Sequence, residues 1–372
     1  MLRRLEEGGA LRGEWRSAMF AAPRHLFIPD RAWYLGDEGL TEMDRAADPQ
    51  EWLRLAYDDT PVITQFDDGD TPAGDRGRTA TSSISMPLLV AQMLDALDVS
   101  PGVNVLEIGT GTGWNCALLC ARLGDTAITS IEIDPAVADR ARRNLSTVGV
   151  KPHVITGDGE QGMRDSAPYD RLIATVAAYR VPYAWVEQVN SGGIIVTAFN
   201  TMASGGLLRL KVASDMTATG NFCGNAAFMP LRSQRPADLN IKQYVNSSEY
   251  TESSSDLYPY EPLSDYDGNF AVSLLMPDIE MRVHVEGDDA YPFTCYLLDA
   301  ATGSWASERV EARSEKTHAI RQHGPRRLWN ELEEAYQWWC DHDKPSHERF
   351  GVTITPDRQS FWLDTPEGLL HP

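Results

Sequence analysis

Positive charge is scarce in this 372-residue chain. It carries 33 Lys and Arg residues against 54 Asp and Glu residues, which gives a formal net charge of −21 at pH 7. Proteins that bind nucleic acids neutralise phosphates with a surplus of cations, so this balance argues against a nucleic-acid partner. The acidic surface either favours a neutral or basic polypeptide as partner or serves solubility alone.

Cysteine motifs and long apolar runs are also missing. The five cysteines, at positions 116, 120, 223, 295 and 340, are odd in number and include no C-x-x-C pair. This usage fits a reducing cytoplasm. No stretch is long enough to span a membrane, and Met1-Leu2-Arg3-Arg4 leads into an acidic polar helix rather than an apolar signal sequence. We therefore expect a cytoplasmic protein without a signal peptide and without a membrane partner.

Histidine is sparse as well, with eight residues in the chain. The grouping that comes nearest to a metal site is His342 and His347 close to Asp343. Histidines at this spacing in a loop are more often surface residues than ligands, so we predict no metal ion.

The chain does contain a glycine-rich turn between an apolar strand and a helix. The strand is Val103 to Ile108, the turn is Gly109-Thr110-Gly111-Thr112-Gly113, and an apolar stripe follows at helical spacing from Trp114 to Ala121. Strand, turn and helix in this order open a doubly wound α/β sheet. Glycine is required in such a turn because the backbone is tight and a ligand approaches it closely.

Acidic residues around the turn indicate which ligand it binds. The spacing is G-x-G-x-G, not the G-x-G-x-x-G of dinucleotide sites, and no basic residue stands in the turn for a phosphate. Glu107 closes the strand before the turn, Glu132 lies near the end of the next strand, and Asp158 follows the third. A carboxylate at Glu132 suits two ribose hydroxyls, and Asp158 suits an adenine amino group. This order predicts a site for S-adenosylmethionine (SAM).

A second polar stretch, Thr79 to Pro87, precedes a helix that runs through Val90, Met93 and Leu97. Pro87 suits the first helical turn and Ser85 is predicted to cap it. Capping explains one hydroxyl but not five in seven residues, whereas hydroxyls and free amides at a helix start make a carboxylate receptor. The polar, glycine-rich segment 67–78 before it is predicted to be a mobile loop, either a solvated linker or a flap beside the site.

The later chain continues the same α/β pattern up to about residue 236, where a polar, loop-like run and short β-patterned pieces replace it. Further core strands are expected at 169–175, 194–198, 207–212 and 226–229, and β-patterned pieces at 270–275, 281–285 and 293–298. A helix is expected at 326–340 and a hairpin at 351–354 and 361–363. The predicted fold class is a doubly wound, Rossmann-like α/β sheet with a smaller C-terminal α+β domain. The expected units are residues 1–78, 79–235 and 236–372.

Several of these pieces resemble the protein-L-isoaspartate O-methyltransferase family. Ser83-Ile84-Ser85-Met86-Pro87 is similar to its T-I-S-A-P segment, and Val105 to Trp114 to its first SAM motif. Gly157-Asp158-Gly159 with Ala167-Pro168-Tyr169-Asp170 resembles its GDG…APYD run, and Ala21 to Pro29 resembles V-P-R-x-x-F-V-P. The resemblance covers about residues 15–35 and 60–232. It implies that SAM is bound by Gly109, Thr110, Gly111, Glu132, Asp158 and Gly159, to which we add Glu107 and Gly113 of the same strand and turn.

By the same resemblance, Ser85 is the hydroxyl that positions an acceptor carboxylate, with Ser83 and Thr81 as its predicted neighbours. Two departures from the family pattern stand out: Met86 and Leu88 around the proline, and the extension beyond residue 232. The extended shape resembles the branch found beside ribosomally made peptides (lanthipeptides, graspetides and imiditides). That branch esterifies an Asp side chain of a precursor peptide, and the ester collapses to a succinimide (aspartimide).

Three functions therefore stay open at the level of sequence. The first is SAM-dependent O-methylation of one Asp in a precursor peptide, and the second is repair methylation of isoaspartyl peptides. The third is a SAM-binding scaffold in a maturation complex, which the intact hydroxyl segment at 79–85 argues against. The sequence does not indicate an oligomeric state.

Overall fold

The computed structural model describes the chain except for residues 37, 38, 202, 237–240, 242–244, 246–248, 259, 286–292, 311–317, 371 and 372. Within the described residues no helix is both long and apolar enough to cross a membrane.

A nine-stranded sheet forms the centre of the described chain, in the order β18-β17-β11-β10-β9-β8-β5-β6-β7. Its parallel part consists of β5 (Val105–Ile108), β6 (Ile128–Glu132), β7 (His153–Thr156), β8 (Tyr169–Ala178) and β9 (Val189–Asn200). Its antiparallel part consists of β10 (Gly205–Val212), β11 (Ala218–Phe222), β17 (Phe350–Ile354) and β18 (Gln359–Leu363). The strand order reverses between β5 and β8, where doubly wound sheets bind ligands at the carboxyl ends of the strands. The predicted fold class is confirmed.

Helices cover both faces of this sheet. The helices of the first two hundred residues are α1 (Leu2–Glu7), α2 (Gly13–Ala21), α3 (Pro49–Ala56), α4 (Pro87–Leu97), α5 (Trp114–Leu123), α6 (Pro135–Thr147) and α7 (Tyr183–Glu187). Local sequence explains where α6 begins: Pro135 occupies its first turn, and the Asp134 carboxylate accepts the amides of Ala136 and Val137.

The hydroxyl-rich stretch is a strand rather than a helix cap. Residues Ala80–Ile84 form β4, the edge of a separate sheet ordered β2-β1-β3-β4, whose other strands are β1 (Arg31–Gly36), β2 (Gly39–Asp44) and β3 (Val62–Phe66). The predicted cap at Ser85 is wrong, because Met86 stands at that position and α4 receives no side-chain cap from a described residue. Strand geometry has a useful consequence: alternation places Thr81 and Ser83 on one side of β4, and Ser85 follows directly after the strand.

The C-terminal part contains a five-stranded antiparallel sheet packed against helices. Its order is β12-β16-β15-β14-β13, with β12 (Thr251–Ser255), β13 (Glu280–Val285), β14 (Phe293–Asp299), β15 (Ser304–Val310) and β16 (His318–His323). The helices are α8 (Tyr260–Ser264), α9 (Tyr266–Leu275) and α10 (Leu328–Asp341). The expected strands at 281–285 and 293–298 and the helix at 326–340 are therefore confirmed in substance.

Two expected strands are wrong. Residues 270–275 belong to α9, whose first turn is capped by the Asp265 carboxylate through the Gly268 amide at 2.8 Å. Residues 226–229 form no strand; the neighbouring strand is β11, at Ala218–Phe222. Almost every residue of the 270–275 run is buried, so its apolar pattern does not distinguish a strand from a buried helix.

The extension is continuous with the central sheet. Its last hairpin, β17 and β18, pairs with β11 and so supplies the outer strands of that sheet. Phe270 of α9 is fully buried and meets Phe222 of β11 edge to face, with ring centroids 4.7 Å apart. The chain beyond 236 therefore shares a core with the chain before it.

We predict that Phe270→Ala lowers the free energy of unfolding by about 3–5 kcal/mol, because it empties a fully buried site that joins α9 to β11. Denaturant titration of the wild-type protein and of the variant measures this loss of stability. The matched control Phe20→Ala removes a ring that is 58% exposed on α2 and should change stability by less than about 1 kcal/mol. Equal effects of the two substitutions would show that α9 does not anchor the extension.

Candidate active site

A cavity of about 950 Å³ lies at the carboxyl ends of the parallel strands. One side is the glycine turn with the ends of β6 and β7, and the facing side is β4 with the start of α4. The third side comes from the connection between β9 and β10 and from α8 and α9, so the extension contributes to the wall. The predicted site residues that line this cavity are Thr81, Ser83, Ser85, Gly109, Thr110, Gly111, Glu132, Asp158 and Gly159.

The glycine turn presents bare backbone to the cavity. Gly109 and Gly111 have φ values of 88° and 55°, which side chains other than glycine rarely adopt. A Cβ at Gly109 would lie 2.8 Å from Val176 Cγ1, whereas one at Gly111 would meet only the Ser83 carbonyl, at 3.6 Å. The amides of Gly109 and Thr110 both donate to the Ile131 carbonyl, which fixes the turn against β6. The turn is thus a preformed cradle for a ligand.

Glu132 is tied to this cradle by hydrogen bonds. Its Oε2 accepts the Gly111 amide at 2.8 Å and its Oε1 accepts the Asp134 amide at 3.1 Å. The side chain is buried, and burial raises the pKa of its carboxyl group above the ordinary value. Asp158 is exposed, and its Oδ1 accepts the Glu160 amide at 3.0 Å. Both residues line the cavity, so their carboxylates can accept hydrogen bonds from a ligand's hydroxyl or amino groups.

Glu107 and Gly113 do not line the cavity, although we predicted them among the cofactor residues. Glu107 is completely buried below the turn, where its oxygens accept Asn115 Nδ2 at 2.7 Å and Ser130 Oγ at 2.5 Å. Burial raises the pKa of its carboxyl group to about 7. Gly113 faces α6, where a Cβ would lie 3.2 Å from Leu145 Cγ. These two residues support the turn from behind it.

The three predicted hydroxyls differ in what they already bind. Thr81 Oγ1 donates to Gln65 Oε1 at 3.0 Å and accepts the Asp68 amide at 3.1 Å. Within the described part of the chain, the hydroxyls of Ser83 and Ser85 make no hydrogen bond to protein. Ser83 and Ser85 are therefore the hydroxyls available to a ligand in this cavity.

Arg24, which sequence reasoning did not single out, holds the segment that carries Ser85. Its guanidinium is fully buried and donates to five carbonyls, those of Ala56, Asp58, Thr60, Ile84 and Ser85, at 2.8–3.3 Å. Burial lowers its pKa to about 9. The one available signal was its place in the Ala21–Pro29 motif, which does not reveal what the side chain contacts.

The wall residues contributed by the later chain were also missed. They include Thr201, Ser204, Arg232, Arg235, Tyr266 and Asn269. No motif marks them, because the fold brings them to the cavity from distant positions. Among the described residues, no group of three His, Cys, Asp or Glu side chains is arranged to hold a metal ion.

Comparison with known proteins gives a consistent family. The model of the family described as protein-L-isoaspartate(D-aspartate) O-methyltransferase matches residues 37–236. A protein-L-isoaspartate O-methyltransferase of Pyrococcus horikoshii is 35% identical over 216 residues, which is 58% of this chain and 82% of that protein. Another, from Cytophaga hutchinsonii, is 36% identical over 166 residues, which is 45% of this chain and 72% of that protein.

A solved structure of a protein-L-isoaspartate O-methyltransferase is similar over nearly the whole fold. The TM-score is 0.54 at 19% identity, and the alignment covers 97% of this chain and 98% of that one. At this identity the likeness concerns the fold alone. Its extent means that the fold beyond residue 236 also has a counterpart there, so an extension of this kind is not confined to the present chain.

The buried carboxyl group of Glu107 predicts a pH dependence of stability. Its pKa of about 7 lies above the ordinary 4.5, so between these values the folded protein holds a proton that the unfolded chain releases. The free energy of unfolding therefore falls as pH rises from about 4.5 to about 7, and Glu107→Gln should reduce that fall by about 1–3 kcal/mol.

Denaturant titrations at about pH 5.5 and about pH 8 measure the difference. The control Glu7→Gln changes an exposed glutamate of α1 and should keep the wild-type dependence. A Glu107→Gln protein with the wild-type slope would mean that Glu107 is ionised throughout this range.

Proposed function

This chain belongs to the protein-L-isoaspartate(D-aspartate) O-methyltransferase family and is a SAM-dependent carboxyl methyltransferase. We propose that it methylates an Asp side chain of a precursor peptide. The ester would then collapse to a succinimide. The observation that carries the proposal is the composition of the cavity. The same cavity is lined by the glycine turn, by Ser83 and Ser85 with their free hydroxyls, and by a wall that α8 and α9 contribute.

The cradle suits SAM on structural grounds. A glycine turn without side chains faces the cavity, and the carboxylates of Glu132 and Asp158 stand where ribose hydroxyls and an adenine amino group would be bound. Bound SAM supplies a methyl group on a sulfonium, and its transfer to a carboxylate oxygen yields a methyl ester and S-adenosylhomocysteine. Gly109, Thr110, Gly111, Glu132, Asp158 and Gly159 are the residues we assign to holding it.

The acceptor needs no general base. An Asp carboxyl group has an unperturbed pKa of about 3.9, so it is already an anion at neutral pH. Among the described residues that line the cavity there is no histidine or lysine. The protein therefore has to align the carboxylate and remove water from it, and alignment of this kind contributes roughly 7–11 kcal/mol to catalysis.

Ser83 and Ser85 provide that alignment in our proposal. Their hydroxyls would donate to one carboxylate oxygen and leave the other free to attack. After esterification, the backbone nitrogen of the next residue attacks the ester carbonyl, loses its proton and expels methanol. That ring closure takes place within the peptide and requires no further group of the protein.

Methylation of isoaspartyl peptides is the second candidate, and the names of the relatives favour it. The same cradle and hydroxyls serve either carboxylate. The two functions differ in the acceptor, since repair accepts many age-damaged peptides and maturation accepts one Asp of one peptide. Met86, which departs from the family pattern and lines the cavity beside the hydroxyls, and the wall formed by α8 and α9 support a more selective acceptor pocket. Leu88, the other departure, lies outside the cavity lining and packs against the hydrophobic core.

The proposal predicts a mass change on a precursor peptide. The purified protein is incubated with SAM, an isoaspartyl test peptide and a candidate precursor with an internal Asp, and masses are followed over time. We expect the precursor to gain one methylene and then lose methanol, leaving a species one water lighter. Methylation of the isoaspartyl peptide alone would assign the protein to repair, and methylation of neither, with S-adenosylhomocysteine still bound, would favour the scaffold.

A second prediction concerns the hydroxyls. Ser85→Ala should lower kcat/KM for the acceptor about ten- to hundredfold, because a hydrogen bond to a charged group contributes roughly 1.5–3 kcal/mol. Affinity for S-adenosylhomocysteine, measured by calorimetry, should stay at the wild-type value. Ser214→Ala, in an exposed turn after β10, is the matched control. An unchanged kcat/KM in Ser85→Ala would remove Ser85 from the acceptor site.

A further inference from the structure

The cavity wall contains one pair of cationic side chains. Among its described residues, Arg232 and Arg235 are the only positively charged side chains, while Glu132 and Asp158 are the negatively charged ones. The chain as a whole carries a net charge of −21. An anionic group of a peptide that enters the cavity therefore finds favourable charge at this pair, against a repulsive surface elsewhere.

The segment that carries the two arginines is fixed to the central sheet. The Leu231 amide donates to the Ala177 carbonyl at 2.8 Å. The Gln234 side chain, between the two arginines, accepts the amides of Tyr179 and Arg180 at 2.9 and 3.0 Å. The guanidiniums thus project from a rigid base at the end of β8, which reduces the entropy lost when they bind an anion.

A carboxylate already occupies the pair in the structure. Arg232 Nη2 forms ion pairs with Asp68 Oδ1 at 3.0 Å and, at the longer distance of 3.7 Å, with Asp134 Oδ2. Asp68 accepts hydrogen bonds from Nη1 and Nη2 of Arg235, at 2.7 and 3.1 Å. This is the two-pronged arrangement by which arginine recognises carboxylates. The hydrogen bonds from Arg235 lower the pKa of the Asp68 carboxyl group below its ordinary value, so the group is an anion at neutral pH. Asp68 therefore shows what chemical group the pair accepts.

The contact with Asp68 can be exchanged without unfolding its loop. All three side chains are about a third exposed, and ion pairs of that exposure contribute little stability. The loop itself is held by the preceding residue, because Asp67 accepts Thr71 Oγ1, the Arg78 amide and the Thr79 amide. Asp68 also has a left-handed backbone, with φ of 53°, which is unfavourable for a residue other than glycine.

From these observations we infer that Arg232 and Arg235 form a binding subsite for an acidic side chain of the acceptor peptide, near its target residue. In the free protein Asp68 occupies the subsite, and an Asp or Glu of the peptide replaces it. The inference rests on one part of the proposed function, namely that the acceptor bound in the cavity is a peptide. It makes acidic neighbours of the target a determinant of which Asp is chosen.

Peptide binding to the full-length protein loaded with S-adenosylhomocysteine tests the subsite without turnover. Fluorescence anisotropy is measured on labelled peptides in which Glu occupies each position near the target in turn, each matched by a Gln peptide. At low ionic strength we expect at least one Glu peptide to bind about three- to fivefold more tightly than its Gln match. Arg232→Gln/Arg235→Gln should abolish this ratio, and Asp68→Asn should increase it.

Arg180→Gln, an exposed arginine outside the cavity wall, is the matched control and should keep the wild-type ratio. The inference is overturned if no Glu peptide is preferred, or if the double variant keeps the preference. It is equally overturned if the double variant loses affinity only for S-adenosylhomocysteine, since the arginines would then bind the cofactor's own carboxylate. The binding test does not depend on catalysis. If the precursor is not methylated, the proposed function is refuted, but the subsite is still tested by the same binding measurements on isoaspartyl peptides with Glu or Gln near the isoaspartate.

Discussion

The segment that carries Ser83 and Ser85 is held in place by one buried cation, Arg24. A guanidinium removed from water is unfavourable unless its donors are used, and here the two Nη groups bind carbonyls from α3, from the turn before β3 and from the end of β4. The same side chain stacks over the Trp114 ring, 5.4 Å from its centroid, at the start of the helix that follows the glycine turn. One residue of the N-terminal motif therefore connects the acceptor strand to the cofactor turn, which explains why the motif belongs to the site although it lies outside the cavity.

The parts of the site that could be predicted from the sequence are those made by consecutive residues. The glycine turn, Glu132 and Asp158 each follow a strand, and strands in a doubly wound sheet end at one edge, so their convergence follows from order alone. Ser83 and Ser85 were found as a cluster, but the reason given was incorrect, since Ser83 lies on strand β4 and Ser85 directly after it, before the N-cap of α4. Glu107 looked like a cofactor residue because it lies near the end of a strand, yet its side chain is buried outside the cavity between Asn115 of α5 and Ser130 of β6. Arg24, Arg232 and Arg235 depend on contacts between distant segments, which no local pattern records.

The extension contributes one wall of the cavity and no residue of the glycine turn. Its helices α8 and α9 form the third side of the cavity, and the hydrogen bond from the Tyr266 hydroxyl to the Gly205 carbonyl fixes α9 to the start of β10. Selectivity for an acceptor can therefore differ from that of related enzymes while the transfer chemistry stays the same. The acidic composition fits this arrangement, because general repulsion of anionic peptides makes a single cationic subsite more discriminating.

The outer hairpin of the central sheet has a consequence for how the protein is made. Strand β11 leaves the ribosome well over a hundred residues before its partner β17. Until β17 has been made, β11 is an unprotected sheet edge, and such edges pair with other chains. A product that ended before β17 would keep every residue assigned to the cofactor and still expose that edge. The outer hairpin thus protects the central sheet only long after the cofactor residues have been synthesised.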